Sequence, residues 1–182
     1  MFIISIFEAW LSAALYAAVA VVFFQTRSEN VPQREKWCRD RWIGLLLTLP
    51  AALYCVPLAQ PVTPLFLLPW LWPMALILPL LCLYLIDYYA SRGLALWMIT
   101  AGYGMIHSTF EWHVPGSGAV AVLQWLAGIA AIWISAKPCL LRDLFRKSAE
   151  NVKLRYVLSI AAAVMSLAAL YSGIMIIVCG GR

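Results

Sequence analysis

Six long apolar runs, separated by shorter polar segments, dominate the chain from its first residues to its last. A helix of about 20 residues, rising 1.5 Å per residue, crosses the hydrocarbon core of a bilayer. The pattern therefore predicts an all-α integral membrane protein, a bundle of six transmembrane helices that forms a single transmembrane domain over 1–182. The predicted spans are 2–24, 43–59, 65–86, 94–112, 118–135 and 157–178.

Composition excludes a water-soluble domain. The 182 residues are 64% hydrophobic and 12% charged, whereas soluble domains have roughly 45–50% apolar and 25% charged residues. The formal charge of +5 is not an indication of nucleic-acid binding, because the basic residues lie in segments beside the predicted helices. We expect membrane lipids, and no nucleic acid, among the partners.

The basic residues also predict the orientation of the chain. In a six-span topology, twelve of the 13 Lys and Arg residues fall on one side, in connections 25–42, 87–93 and 136–156, and only Arg182 falls on the other. Cytoplasmic loops carry this excess of positive charge. We therefore predict that both termini lie on the non-cytoplasmic side and that the protein resides in a bacterial inner (cytoplasmic) membrane.

The connection after the fifth span has two interpretations. Apolar residues alternate with charged ones from Pro138 to Lys147, as in a short helix that lies in the membrane surface with its basic face toward anionic headgroups. An ordinary positively charged loop explains the same residues.

Small residues and prolines mark possible packing and bending sites. Prolines are concentrated in the second and third spans, which we expect to be kinked: they are Pro50, Pro57, Pro69, Pro73 and Pro79. The sixth span carries small residues at helical spacing, at Ala162, Ser166, Ala169 and Gly173. Such a face lets another helix approach closely, either within the bundle or in a homo-oligomer or larger membrane complex.

Ionisable groups inside a bilayer are the best pointers to function, because their burial costs several kcal/mol unless they are partnered. Only Glu8 and His107 lie well inside predicted spans. Polar residues continue from each of them at three- and four-residue steps, which places them on one helix face. The two polar faces consist of Ser5, Glu8, Ser12 and Tyr16 in the first span and of Thr100, Tyr103, Gly104, His107 and Glu111 in the fourth.

Depth suggests that these groups share one polar pocket. Counted from the outer ends of their spans, Glu8, His107 and Gln124 all lie about 7–10 Å deep. We expect Glu8, His107 and Glu111 to carry proton chemistry, with Tyr103, Gln124 and His113 contacting a substrate. His107, Glu111 and His113 with Glu8 have the residue types of a divalent-metal site, but the sequence identifies neither a metal nor a cofactor.

Three functions use these residues differently. In the first, the chain is a small transporter or permease component for a small solute, coupled to protons through the pocket in the outer half of the membrane. In the second, it is a membrane-embedded enzyme that acts on a lipid or isoprenoid-like substrate, with His107 and Glu111 as acid and base. In the third, it is a non-catalytic subunit of a membrane complex, and the polar cluster only fixes the register of the first and fourth spans.

Overall fold

The computed structural model describes residues 2–180, and within them every regular element is helical. This confirms the all-α prediction for the described residues. The α-helices are α1 (Phe2–Phe24), α2 (Val31–Arg39), α3 (Arg41–Ala59), α4 (Leu68–Leu85), α5 (Tyr89–Glu111), α6 (Ser117–Ala136), α7 (Cys139–Glu150) and α8 (Val152–Gly180). Two single 3₁₀ turns, Ser28–Asn30 and Gln60–Val62, lie before α2 and after α3.

Five segments are long and apolar enough to cross a membrane, as the sequence predicted for a membrane-embedded chain. They are Ile3–Phe24, Arg41–Val62, Leu68–Leu85, Ser117–Ala136 and Val152–Gly180. The remaining predicted span, 94–112, corresponds to α5. That helix is as long as α1, at 23 residues, but it is less apolar because it carries groups such as Thr100 and His107.

The position of α5 explains its composition. It is the helix with the most buried residues, and it packs against α1, α3 and α6. The approach to α3 requires glycine on both helices, since a Cβ on Gly93 would lie 2.9 Å from the carbonyl oxygen of Gly44. The helix also begins earlier than predicted. The segment 89–93, expected to be part of a connecting turn, forms its first turns after Tyr88, whose φ of 55° is left-handed.

The small-residue face of α8 packs inside the bundle, against α1. The Ser166 hydroxyl donates to the carbonyl oxygen of Ala13 at 2.8 Å, and a Cβ on Gly173 would lie 3.2 Å from the Cβ of Ala9. Close helix contact through small residues is what such a face provides in membranes. Of the two uses expected for this face, the structure shows the one within the bundle. Helix α4 lies at the periphery and packs mainly on α3.

Two short helices lie in the connections that carry most of the basic residues. Of the two interpretations for the segment after α6, the structure has the helical one: in α7, Leu141 and Phe145 are buried and Arg146 and Lys147 are exposed. Helix α2 in the 25–42 connection was not predicted. Asp40 separates α2 from α3. Its carboxylate caps the N-terminus of α3 by accepting hydrogen bonds from the backbone amides of Trp42 and Ile43.

The three basic connections meet at one end of the bundle, which we call the basic end. Glu35 of α2 pairs with Arg146 of α7. The Tyr88 hydroxyl, in the connection before α5, accepts hydrogen bonds from Arg39 at 2.7 Å and from Arg142 at 3.3 Å. The segments predicted to share one side of the membrane are therefore in direct contact.

The other end of the bundle, which we call the opposite end, holds the connections 60–67 and 112–116. There the Tyr171 hydroxyl of α8 donates to the carbonyl oxygen of Pro115 at 2.7 Å. Because α5 starts beside Tyr88 and ends at Glu111, it runs from the basic end to the opposite end.

Candidate functional site

The polar faces of α1 and α5 meet along an antiparallel contact. Near the opposite end, the Ser108 hydroxyl donates to the Ser5 hydroxyl at 2.9 Å. One turn further along α1, Glu8 lies against Gly104. Tyr16 and Trp97 then share one buried cluster near the middle of the bundle. The polar face of α1 therefore meets α5 at Gly104, one member of the polar face predicted for the fourth span, and at Ser108 and Trp97, which were not assigned to that face.

Glu8 is buried at the centre of this contact. Its exposed fraction is 3%, and no cation pairs with its carboxylate among the described residues. Its polar neighbour is the Tyr54 hydroxyl of α3, which lies with the Glu8 carboxylate against Gly104. A Cβ at position 104 would overlap both the Tyr54 hydroxyl and the Glu8 carboxylate. Glycine at this position is what allows three helices to approach around one carboxyl group.

Tyr54 was missed in the sequence, although a weak signal was present. The buried residues Thr48 and Ala51 lie three residues apart in α3, and Tyr54 follows at the same step. These positions fall close together on one helix face. The prolines of this span predict bending and give no indication of this face.

Further buried polar groups follow Glu8 toward the middle of the bundle. The Ser12 hydroxyl and the Tyr16 hydroxyl continue the face of α1 at four-residue steps, and both lack a hydrogen-bond partner within residues 2–180. The indole nitrogen of Trp97 on α5 is in the same situation. In most proteins such buried groups are satisfied, so this series of unpartnered groups calls for a functional explanation.

His107 and Glu111 lie at the surface, near the C-terminus of α5 and at the opposite end of the bundle. The Nδ1 atom of His107 is 3.6 Å from Oε2 of Glu111, and their side chains are 54% and 42% exposed. This separation suits a loose ion pair one helical turn apart rather than a short hydrogen bond. The imidazole and the carboxylate are therefore accessible from outside the bundle, unlike Glu8.

A small cavity lies between this surface pair and the neighbours of Glu8. Its volume is about 20 Å³, enough for roughly one water molecule. It is bounded by α1, α3 and α5, and its polar lining consists of Ser5, Tyr54, His107, Ser108 and Glu111. The backbone of Gly104 also contributes, so the cavity reaches the position against which the Glu8 carboxylate lies.

Gln124 does not join this cluster, contrary to the expectation from its depth. Its side chain is 1% exposed, and its amide nitrogen donates to the sulfur of Met105 at 3.4 Å. A Cβ on Gly102 would lie 3.5 Å from its Oε1 atom, whereas Glu8 lies against Gly104. Residues two apart point to opposite faces of a helix, so α5 separates Gln124 from Glu8. Depth alone cannot reveal on which side of a neighbouring helix a residue packs.

Two other expected pocket residues lie at the surface. Tyr103 is 56% exposed, and its ring centroid lies 6.3 Å from that of His107. His113 follows the end of α5 with a φ of 50°, and its Nδ1 atom is 3.1 Å from the carbonyl oxygen of Glu111. Within the described part of the chain, no group of three or more His, Cys, Asp or Glu side chains could hold a metal ion.

The arrangement combines a titratable surface pair, a cavity of water size and a buried carboxyl group. Proton transfer needs donors and acceptors within hydrogen-bond reach, either directly or through one water. His107, Glu111 and Tyr54 line one cavity with room for a bridging water, and Tyr54 lies beside Glu8. Comparison of the sequence and the structure with known proteins gives no match: no family model, curated protein or solved structure is similar to this chain.

Proposed function

We propose that this protein crosses the membrane six times, with α5 as the central crossing and both termini on the non-cytoplasmic side of a bacterial inner membrane. The antiparallel contact between α1 and α5 supports this topology. The meeting of the three basic connections at one end also supports it, because positive charge favours the cytoplasmic side. In this topology the opposite end, with His107 and Glu111, faces outward.

We propose further that the chain is a small transporter or permease component in which Glu8 takes up and releases protons. The single observation that carries the proposal is the burial of Glu8 without a cation among the described residues to balance its charge. An unpaired carboxylate in a bilayer costs several kcal/mol. Intramembrane carboxyl groups that persist at this cost mark proton relays and ion pathways.

Each group has a place in the proposed proton transfer. His107 and Glu111 exchange protons with the outer solution, to which both side chains are exposed. The cavity bounded by Tyr54 and Ser108 passes the proton inward, and Glu8 holds it. The neutral acid is the form that the apolar surroundings of Glu8 tolerate. Loss of the proton leaves a buried negative charge, which favours entry of a cation or of a polar solute into the site.

Proton flux in liposomes tests this function. Purified protein is reconstituted with a pH-sensitive dye inside, and a potassium diffusion potential drives protons inward. We expect wild-type protein to acidify the lumen and Glu8→Gln to abolish the flux, because an amide cannot exchange a proton. His107→Ala should reduce the flux without abolishing it, since Glu111 still faces the solution.

The matched control is Glu150→Gln, which neutralises an exposed carboxylate at the basic end. It should transport protons like the wild type. Size-exclusion profiles and helical circular dichroism establish that each variant folds. Equal flux in wild type, Glu8→Gln and His107→Ala would contradict the proposal.

The geometry favours proton transfer over chemistry on a lipid. An apolar cavity of about 400 Å³ lies between α6 and α8 and extends to α7 at the basic end. His107 and Glu111 lie at the opposite end and do not line it. A lipid in that cavity would therefore be far from the acid and base that the enzyme interpretation requires.

A further inference from the structure

An apolar crevice lies between α6 and α8, and its lining is almost entirely hydrocarbon. Its volume of about 400 Å³ lies within the range of ligand pockets, roughly 300–1,000 Å³. Ala130 and Ile134 of α6 form one wall, and Ala161 and Met165 of α8 form the other. Apart from the Tyr16 hydroxyl, every lining side chain is apolar.

The crevice opens sideways, toward the surface that the membrane-spanning helices present to lipid. Leu126 and Val164, which also line it, are 58% and 41% exposed. Helices α6 and α8 are both long and apolar enough to cross a membrane. In a bilayer the medium beside them is hydrocarbon, so a hydrocarbon chain is the occupant that matches both the lining and the opening.

Charge at the base of the crevice indicates which lipid would place its chain there. Leu141 and Leu144 of α7 close the crevice at the basic end. The same region carries Lys137, one turn beyond Ile134, and Lys147, three residues beyond Leu144. Both lysines are exposed, so both ammonium groups can reach a headgroup at the membrane surface.

These lysines differ from the arginines around them. Arg146 pairs with Glu35 and Arg142 with Asp143, so those cations are already engaged. The ammonium groups of Lys137 and Lys147 make no ion pair or hydrogen bond with any residue from 2 to 180. Lys137 also borders a second cavity of about 330 Å³, together with the exposed Trp133. An indole ring beside a lysine at the end of a membrane helix is typical of the headgroup level.

We propose that this crevice binds one anionic phospholipid, with an acyl chain between α6 and α8 and the phosphate group between Lys137 and Lys147. The apolar walls provide affinity for the chain, and the two free ammonium groups provide selectivity for negative charge. The site does not depend on proton transfer at Glu8, from which it is separated in the bundle.

Native mass spectrometry of delipidated protein in mild detergent tests this site. Phosphatidylglycerol and phosphatidylcholine with identical chains serve as probes. We expect one tightly retained phosphatidylglycerol and weaker retention of phosphatidylcholine. The double variant Lys137→Gln/Lys147→Gln should lower the preference roughly twentyfold, because each cation near an anionic surface contributes about a fivefold preference.

Variants of the crevice distinguish binding of the acyl chain from binding of the headgroup. Ala130→Trp places an indole ring in the crevice and should weaken retention of both lipids. Ala119→Trp, on an exposed position of the same helix outside the crevice, is the matched control and should bind like the wild type. Lys36→Gln, an exposed lysine of α2 at the same end, is the control for loss of charge.

Three results would overturn the proposal. They are equal retention of the two lipids by wild-type protein, unchanged retention in Ala130→Trp, and an effect of Lys36→Gln as large as that of the double variant. Glycerol phosphate distinguishes a headgroup site from a lipid site: displacement of the lipid by glycerol phosphate at similar concentration would show that the crevice binds no chain.

Discussion

Two glutamates at the two ends of this bundle are in contrasting situations. Glu35 at the basic end pairs with Arg146, and that hydrogen-bonded guanidinium holds the pKa of the Glu35 carboxyl below its usual range. Glu8 near the opposite end is buried, and only the Tyr54 hydroxyl, with no cation among the described residues, lies beside its carboxylate. The same type of side chain is thus ion-paired in one region and has no counter-charge in the other.

This difference indicates that the ion pair contributes to stability, whereas we propose that the buried carboxyl group serves function. The pair of Glu35 and Arg146 joins α2 to α7 and so contributes to the assembly of the basic end. Glu8 makes no ion pair among the described residues, and burying its charge would oppose folding. The contact of α1 with α5 has other support, in the hydrogen bond between Ser5 and Ser108 and in the close approach at Gly104.

We expect the largest loss of stability for Gly44→Ala, because it forces apart α3 and α5, two helices that extend through both regions. A Cβ there would lie 2.5 Å from the Tyr89 ring and 2.8 Å from the Tyr89 backbone carbon, so α3 and α5 must move apart. We expect a loss of about 1–3 kcal/mol, measured by unfolding in detergent. Gly128→Ala, where a Cβ meets nothing within 4 Å, should instead keep or raise stability. Equal stability of the two variants would refute the close contact.

A smaller loss is expected for Gly104→Ala, which crowds the Glu8 region alone. The atoms that the new Cβ would overlap are the ends of two side chains, Tyr54 and Glu8, and these can shift more readily than backbone. We expect about 1 kcal/mol, at the low end for overpacking. Removing the hydroxyl in Gly104→Ala/Tyr54→Phe should restore part of the loss. A double-mutant cycle in unfolding free energy measures this coupling, and additive effects would contradict the arrangement.

Glu8→Gln should change stability by less than about 1 kcal/mol, or increase it, because the amide has nearly the shape of the neutral acid and cannot become a buried charge. The same variant should lose proton flux entirely. This dissociation of stability from activity distinguishes a functional carboxyl from a structural one. A large loss of stability in Glu8→Gln, measured by the same unfolding assay, would favour the structural role.

The smallest effect is expected for Glu35→Gln, because exposed ion pairs contribute little and are screened by salt. Since the pKa of Glu35 is lower in the folded protein, the contribution is fully present above the unfolded value of about 4.3. It is lost as the pH falls through the lower folded value. The melting temperatures of wild type and Glu35→Gln should therefore converge on acidification. A difference that stays constant with pH would show that the pair is not the cause.

Hydrophobic patterning predicted most of the fold, for physical reasons visible in particular residues. Long apolar runs give helices of nearly fixed length in lipid, and five of the six predicted spans correspond to helices of that character. Helix α5 departs from the pattern because the bundle surrounds it, so polar residues such as Thr100 and Ser108 are buried by protein. Helix α2 was missed because its nine residues are mostly polar.

The candidate site was only partly predictable, because it depends on which helix faces which. Three- and four-residue spacing marked a polar face on α1 and another on α5, and the structure places Glu8 of the first against Gly104 of the second. Tyr54 was missed and Gln124 was expected in the wrong cluster, since periodicity gives a face but not its neighbour. Their positions depend on glycines at 102 and 104, whose packing partners are visible only in three dimensions.

Infrared difference spectroscopy between acidic and alkaline pH tests the central claim most directly, because it detects the carbonyl stretch of a protonated carboxylic acid. Wild-type protein reconstituted in lipid is compared with Glu8→Gln. We expect a carbonyl band in the wild type that shifts on exchange into heavy water and is absent from Glu8→Gln. An identical difference spectrum in both proteins would show that Glu8 does not exchange protons, and would contradict the proposed proton-handling function.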